Sequence, residues 1–443
     1  MSDLPPDSGV VPTAPSDLPP PRPPAPEDPT VPTHGATLGH ALVDTDTRAD
    51  GAGADGAGGP GPPRLRGRSR GIVLAVCAVV TVVCAAVLVV QLRGDPAPPA
   101  ADPGLDAWAP YWALDSSLSE VGERAGSLHE LSPFWFKAER ADSIVADENA
   151  PAAQTKAFLD RARATGVRVV PSIVDGMPAG AMAAVLADPG QRAVHVKALA
   201  DFAAKGDYAG LDLDYESFAF EDDRATWATT RPAWVAFIRD LAARLHADGR
   251  TLTVSVPPVY DDGQTDASGY WVYDYRAITP LVDRVRVLAY DYSTADPGPI
   301  APLPWVQEAI DATAKASGDP SKLVLGLPLY GYNWVLSTAG TCPKKAEGRT
   351  TVSARAAPDL ARRRGATPVY DPTIGEWSFT YQLPVSDGTT SCTQTRQVRY
   401  VDGDGALARR SRALAANFGG ASVWALGYDD DAFWAGLEAP AGS

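Results

Sequence analysis

No phenylalanine, tryptophan or tyrosine occurs before Trp108. Residues 1–63 are instead dominated by Pro, Gly, Ala and Asp. Without aromatic side chains such a stretch buries too little apolar surface to offset the entropy of ordering it, so it is read as a disordered tail. A second stretch, residues 71–92, lacks charge altogether. Basic side chains are in deficit over the whole chain: 39 Lys and Arg stand against 54 Asp and Glu, a formal net charge of −15. That excludes nucleic acid as an expected partner, because phosphate binding needs a basic surface. The acidity is read as a source of solubility. Histidine is scarce: His34, His40, His129, His195 and His246 are scattered and suggest no metal cluster. The 4 cysteines fall into two pairs, Cys77 with Cys84 in the charge-free stretch and Cys342 with Cys392 far downstream. If the downstream part is exported, a Cys342–Cys392 disulfide is expected; two separate thiols are the other reading.

The charge-free stretch is built mainly from Val, Ala, Leu, Ile and Cys. It is long enough to cross a bilayer, which takes about 20 apolar residues in a helix. Arg64, Arg66, Arg68 and Arg70 precede it, whereas Arg93 and Asp95 follow. The positive-inside rule then predicts a single-pass anchor in the plasma membrane, with a cytoplasmic N-terminus and an extracellular C-terminal part. A cleaved signal peptide is the rival reading, but its leader and apolar core should be shorter. Residues 64–93 are thus the basic flank and anchor. Residues 94–104 form a Pro-rich, semi-rigid linker. The globular part spans 105–443.

In that globular part short apolar or alternating runs recur at 107–111, 131–136, 167–173, 210–216, 251–256, 285–290, 323–329 and 421–426. Ala-, Leu- and Arg-rich runs of helical spacing lie between several of them, at 152–165, 179–204, 232–247, 303–317 and 405–418. Eight alternations of strand and helix predict an α/β fold, a (β/α)8 TIM barrel. The connection between the seventh and eighth runs is too long for one helix. Residues 332–403, with both downstream cysteines, are expected to form a small α+β insertion.

The chemistry concentrates in Gly210-Leu-Asp-Leu-Asp-Tyr-Glu216. Side chains alternate on a strand, so Leu211, Leu213 and Tyr215 face the outer helices while Asp212, Asp214 and Glu216 face the barrel interior. Neighbouring desolvated carboxylates cannot all ionise, so a proton is expected to be held among them. Glu216 comes last, at the C-terminal mouth where barrel active sites lie. A carboxyl group kept protonated there is suited to protonating a glycosidic oxygen. A solvated acidic strand is the bland alternative, opposed by the apolar alternation. A calcium loop is another, opposed by Ser217 where that loop needs glycine.

The same segment resembles the D-x-x-D-x-D-x-E signature of glycoside hydrolase family 18, the chitinase-like family. Ala107-Trp-Ala-Pro-Tyr-Trp112, Ser132-Pro-Phe-Trp-Phe136, Leu288-Ala-Tyr-Asp-Tyr292, Gly326-Leu-Pro-Leu-Tyr-Gly331 and Val423-Trp-Ala-Leu-Gly427 resemble its other strand-end motifs. Together they look closest to the bacterial branch that includes spore-cortex peptidoglycan hydrolases. The resemblance implies a glycosidase acting on N-acetylglucosamine-containing glycans, chitin-like or peptidoglycan, without metal or organic cofactor. It implies Glu216 as general acid and Asp214 as the partner of the substrate N-acetyl group. Asp212 is implied as the buried aspartate sharing a proton with Asp214, and Tyr290 as the hydrogen-bond donor to the acetamido oxygen. Asp291 follows Tyr290 as in the family pattern, and Trp424 matches the floor of the sugar site. Trp135, Tyr111 and Tyr330, at other strand ends, are expected to offer ring faces to sugars, with ordinary core packing as the other reading of each. The implied reaction is substrate-assisted retention, an exception to the usual two-carboxylate scheme. One departure stands out: Ala209 occupies the signature's first acid. It keeps open the alternative of a non-hydrolytic glycan-binding protein on the same barrel.

Overall fold

The computed structural model describes residues 104–260 and 268–438. The tail expected over 1–63, the anchor expected over 64–93 and the linker up to 103 lie outside the described residues. Among the described residues no helix is long and apolar enough to cross a membrane.

Eight parallel strands form the core: β1 (Leu105–Pro110), β2 (Leu128–Arg140), β3 (Ser172–Asp175), β4 (Gly210–Asp214), β5 (Thr251–Val256), β6 (Arg284–Val287), β7 (Leu323–Pro328) and β8 (Gly420–Trp424). Each pairs with its sequence neighbours, and β8 and β2 both pair with β1, so the sheet closes on itself as a (β/α)8 barrel. All eight expected runs are therefore barrel strands. The alternation along them decides which side chains enter the barrel. In Arg284-Val-Arg-Val287 the valines are buried outward and the arginines turn in. In β4, Leu211 and Leu213 are fully buried outward and Asp212 turns in.

Helices Leu114–Arg124, Ala152–Thr165, Pro189–Lys205, Trp227–Ala247, Leu303–Ser317 and Gly403–Ala415 surround the sheet. The run expected over 179–204 is two helices, Ala181–Ala187 and Pro189–Lys205. Asp188 ends the first; Pro189 opens the second, and the Asp188 carboxylate accepts from the Gln191 amide. Gly166 ends its helix in the left-handed region, at φ 78°.

The insertion begins at Tyr330 rather than at 332. It is a five-stranded antiparallel sheet in the order Thr350–Ser353, Tyr330–Gly340, Ser391–Tyr400, Glu376–Ser386, Val369–Asp371, with one helix, Ala357–Arg363. Val352, Phe379, Val398 and Tyr400 are among the residues of its own apolar core. Cys342 and Cys392 are joined as a disulfide, so the separate-thiol reading does not hold.

Behind β4 the outward face is anchored by an unusual partner. His195 is fully buried beside the rings of Tyr215 and Phe237. Its Nδ1 lies 3.0 Å from the Ala141 carbonyl oxygen, which can only accept, so Nδ1 carries the proton and Nε2 accepts from the Tyr215 hydroxyl at 2.8 Å. Burial pushes the imidazole down to about 4 from 6.5. The native state thus resists a proton that the unfolded chain accepts. Stability from this group is intact above pH 6.5, falls as pH drops through the window down to 4, and is then flat. The shift corresponds to roughly 3 kcal/mol. His195→Gln should lower stability at pH 7 and flatten its pH dependence between 6.5 and 4. Denaturant unfolding of both proteins at pH 7 and 4.5 measures this; equal slopes would refute it.

Candidate active site

The barrel strand carrying the acids stops at Asp214, short of the 210–216 run expected. Glu216 already has near-helical angles, φ −88° and ψ −15°, and leads into the short helix Ser217–Phe220. The turn is fixed from outside, because Tyr215 is anchored to His195 and its carbonyl accepts from the Tyr273 hydroxyl at 2.7 Å. The acids thus form a column that climbs from the barrel centre to the mouth.

Asp212 is the deepest of the three and is fully buried. Its Oδ2 accepts from Arg286 Nη1 at 2.8 Å, Ser172 Oγ at 2.6 Å and Trp108 Nε1 at 3.1 Å, and its Oδ1 accepts from Ser255 Oγ at 2.8 Å. Asp214, one step up, is 8 % exposed, and its Oδ1 has no hydrogen-bond partner among the described residues. Burial, then Glu216 and Asp212, push its carboxyl well above the usual carboxylate range. Burial and the facing Asp291 push Glu216 up to about 8. The top of the column therefore holds protons at neutral pH.

Asp291 sits just after β6, in the left-handed region at φ 56° that aspartate tolerates better than most residues. Its Oδ1 accepts from the hydroxyls of Tyr330 and of Tyr332, the latter at 2.7 Å. Both tyrosines belong to the first strand of the insertion. Tyr330 is only 3 % exposed, so it supports Asp291 rather than offering a ring face to a sugar. The Tyr290 ring lies 6.1 Å from that of Tyr330 and crosses directly over Gly326 of β7. A Cβ at Gly326 would come within 2.7 Å of Tyr290 Cε1, so only glycine lets the tyrosine lie there.

Trp424 ends β8 as a half-buried ring, edge-on to Phe134 at 4.7 Å and to Trp108 at 5.8 Å. Its peptide bond to Ala425 is cis. Beside it Tyr111, Trp112, Phe134, Trp135, Phe136 and Val174 line a hollow with Lys137 and Asp147. Trp135, expected as a sugar platform, is 4 % exposed and packs edge-on against Phe158 of an outer helix. The inward ring at this level is Phe134. A register shift of β2 against β3 lies between Phe134 and Phe136, and the Phe136 ring packs on Phe202 and Tyr208.

Asp106, His129 and Glu130 bring ligand atoms within 4.8 Å of one another. Arg284 and Arg286 already reach Asp106 at 2.9 and 3.3 Å, so the protein itself supplies the positive charge there. Sequence reading missed Arg286, Ser172, Ser255 and Tyr332. The period-two run Tyr330, Tyr332, Trp334 was the available signal for the last. Ala209 lies ahead of β4, paired through its backbone with Val169 and Thr251, at the end of the barrel opposite Glu216.

The family model of glycosyl hydrolases family 18 matches residues 135–429. A glycosylase of Bacillus subtilis (strain 168) is 32% identical over 154 residues, and this chain spans only 34% of that protein's length. The cortical fragment-lytic enzyme of the same organism is 24% identical over 326 residues, 72% of this chain and 70% of the enzyme. The crystal structure of a chitinase from Chromobacterium violaceum ATCC 12472 superposes with a TM-score of 0.61 at 22% identity, covering 76% of this chain and 98% of the chitinase. That likeness repeats the fold already described, and the family model spans both the acid column and Trp424: the chain belongs to glycosyl hydrolases family 18.

Proposed function

We propose that this protein is a membrane-anchored, extracytoplasmic glycosidase that cleaves N-acetylglucosamine-containing glycans by substrate-assisted retaining hydrolysis. The observation that carries the reading is the position of Glu216 at the barrel mouth, above the buried Asp214 and Asp212, where burial and Asp291 lift its carboxyl to about 8. In this scheme Glu216 gives its proton to the glycosidic oxygen as the bond to the anomeric carbon breaks. The substrate's acetamido oxygen attacks that carbon and an oxazolinium ion forms. Asp214 accepts the oxazolinium N–H through Oδ1, the oxygen left without a partner by the protein. Tyr290 donates to the acetamido group, and Trp424 supports the sugar face. Water then opens the ring, with the Glu216 carboxylate taking its proton, and configuration is retained. No step calls for a metal or an organic cofactor. Chitin and peptidoglycan both carry the required N-acetyl group. A membrane anchor facing the wall, and the similarity to a cortical fragment-lytic enzyme, favour peptidoglycan.

The acid must be protonated to act, so kcat/KM on an N-acetylglucosamine oligomer should fall as pH rises through about 8, the value to which Glu216 is lifted. A plateau continuing two units higher would contradict the assignment. Glu216→Gln keeps the shape without the transferable proton, and cleavage should drop by about 10²–10⁴ while binding persists. Product masses from peptidoglycan and from chitin oligomers identify the substrate. Binding without cleavage by both proteins would instead favour the non-hydrolytic reading.

The topology part of the proposal rests on the four arginines before the apolar run. Protease added to wall-stripped cells should remove the globular part and spare the N-terminal tail. A mature protein beginning near residue 95 would rule out the anchor.

A further inference from the structure

Arg286 is fully buried inside the barrel, one layer beneath the reacting groups. Its guanidinium lies 4.9 Å from the Trp108 ring and is surrounded by acids of three different strands. Nη1 donates to Asp212 on β4 at 2.8 Å and to Ser132 on β2 at 2.7 Å. Nη2 reaches Asp106 on β1 at 3.3 Å and Glu130 on β2 at 3.5 Å. On its own strand Arg284 adds a second cation at Asp106, and His129 contacts Asp106 from the barrel edge. From β5 the group facing Asp212 is the Ser255 hydroxyl.

The neighbours of Asp212 decide its state. Trp108 Nε1 and Arg286 Nη1 can only donate, and both meet the same oxygen, which also lies 2.6 Å from Ser172 Oγ. The other oxygen meets Ser255 Oγ. The two hydroxyls can donate or accept, but the indole and the guanidinium can only donate, so Oδ2 carries no proton and meets a permanent positive charge at 2.8 Å. Asp214 is built the opposite way: it is nearly as deeply buried, yet no donor meets its Oδ1 among the described residues.

We propose that Arg286 is a positioning residue that locks Asp212 as an anion throughout the reaction, so that the labile proton of the Asp212–Asp214 pair stays on Asp214. This rests on Glu216 being the acid. When Glu216 releases its proton to the leaving oxygen, the proton on Asp214 turns to the new Glu216 carboxylate, while Asp214 Oδ1 accepts the oxazolinium N–H. One proton leaves the column, none is exchanged with Asp212, and the return of a proton from water to Glu216 resets it. Arg286 thus does from below what a shared proton between Asp212 and Asp214 would otherwise do: it removes the repulsion that would bar a proton-poor column.

Infrared difference spectra of the full-length protein in detergent at pH 7 test this without turnover. Asp214→Asn should abolish a protonated-carboxyl C=O stretch, and Asp212→Asn should leave that band in place. Loss of the band in Asp212→Asn, or no loss in Asp214→Asn, overturns the proposal. Arg286→Met should create a band that disappears on adding Asp212→Asn. It should also lower kcat about tenfold or more, with KM little changed because Arg286 meets no solvent or substrate. Arg286→Lys, which keeps the cation, should remove the new band and restore kcat. No Asp212-dependent band in folded Arg286→Met refutes the role. Where Arg286→Met does not fold, the two single-aspartate spectra decide alone. A protein that gives the expected spectra but cleaves no glycan refutes the glycosidase reading and leaves this one standing.

Discussion

A carboxylate inside a closed barrel is either matched by positive charge or neutralised by a proton, and the position of Arg286 divides this barrel's interior between the two solutions. At the lower level Arg286 and Arg284 contact Asp106, and Arg286 also contacts Asp212. Burial opposes the charge on Asp106, but His129, Arg286 and Arg284 together hold its carboxyl below the usual range. Glu130, at the same level, is raised by burial and by Asp106, so it yields its charge first. Arg286 is the weakest of the influences on Asp214, and none of those acting on Glu216 is positive. The column thus starts at Asp212, paired with Arg286, and continues to Asp214 and Glu216, whose carboxyls are raised chiefly by burial. Stripping one partner from a buried pair of this kind costs roughly 3–5 kcal/mol, so the Arg286 pairing is also part of what holds the barrel together.

The family fold supplies the walls for this arrangement. Outward residues of β4 are aliphatic or aromatic and are held by helices, with His195 reaching Tyr215 just ahead of Glu216. Inward residues at the same height are small hydroxyls on β3 and β5, which solvate Asp212 without adding charge. The Trp108 indole serves both levels, donating to Asp212 while its ring meets that of Trp424 at the barrel mouth.

Much of this was legible in the chain. Strand periodicity located all eight barrel strands, and the alternation in Gly210-Leu-Asp-Leu-Asp-Tyr-Glu216 assigned its acids to the interior. What escaped was non-local. Arg286 lies on a strand whose pattern, Arg-Val-Arg-Val, reads equally well as a solvated edge; only barrel closure turns it inward among acids from β1, β2 and β4. Strand parity, rather than the strand-end motif, governs Trp135. Ser132 and Phe134 face in, so Trp135 faces out, and it packs on Phe158 as that parity requires. Tyr330 was named for its ring but serves through its hydroxyl, a distinction that depends on where Asp291 lies.

The strand Tyr330–Gly340 belongs to the insertion by chain order and to the active site by contact. The hydroxyls of Tyr330 and Tyr332 favour the charged form of Asp291, and that charge is what lifts Glu216 beyond the effect of burial. The insertion is consequently not an exchangeable module. Were it grafted out for a short loop, Asp291 would lose both hydroxyls and take up a proton more readily, and its hold on the proton of Glu216 would weaken. The pH optimum of the barrel is thus written partly in a segment that a domain parser would cut away.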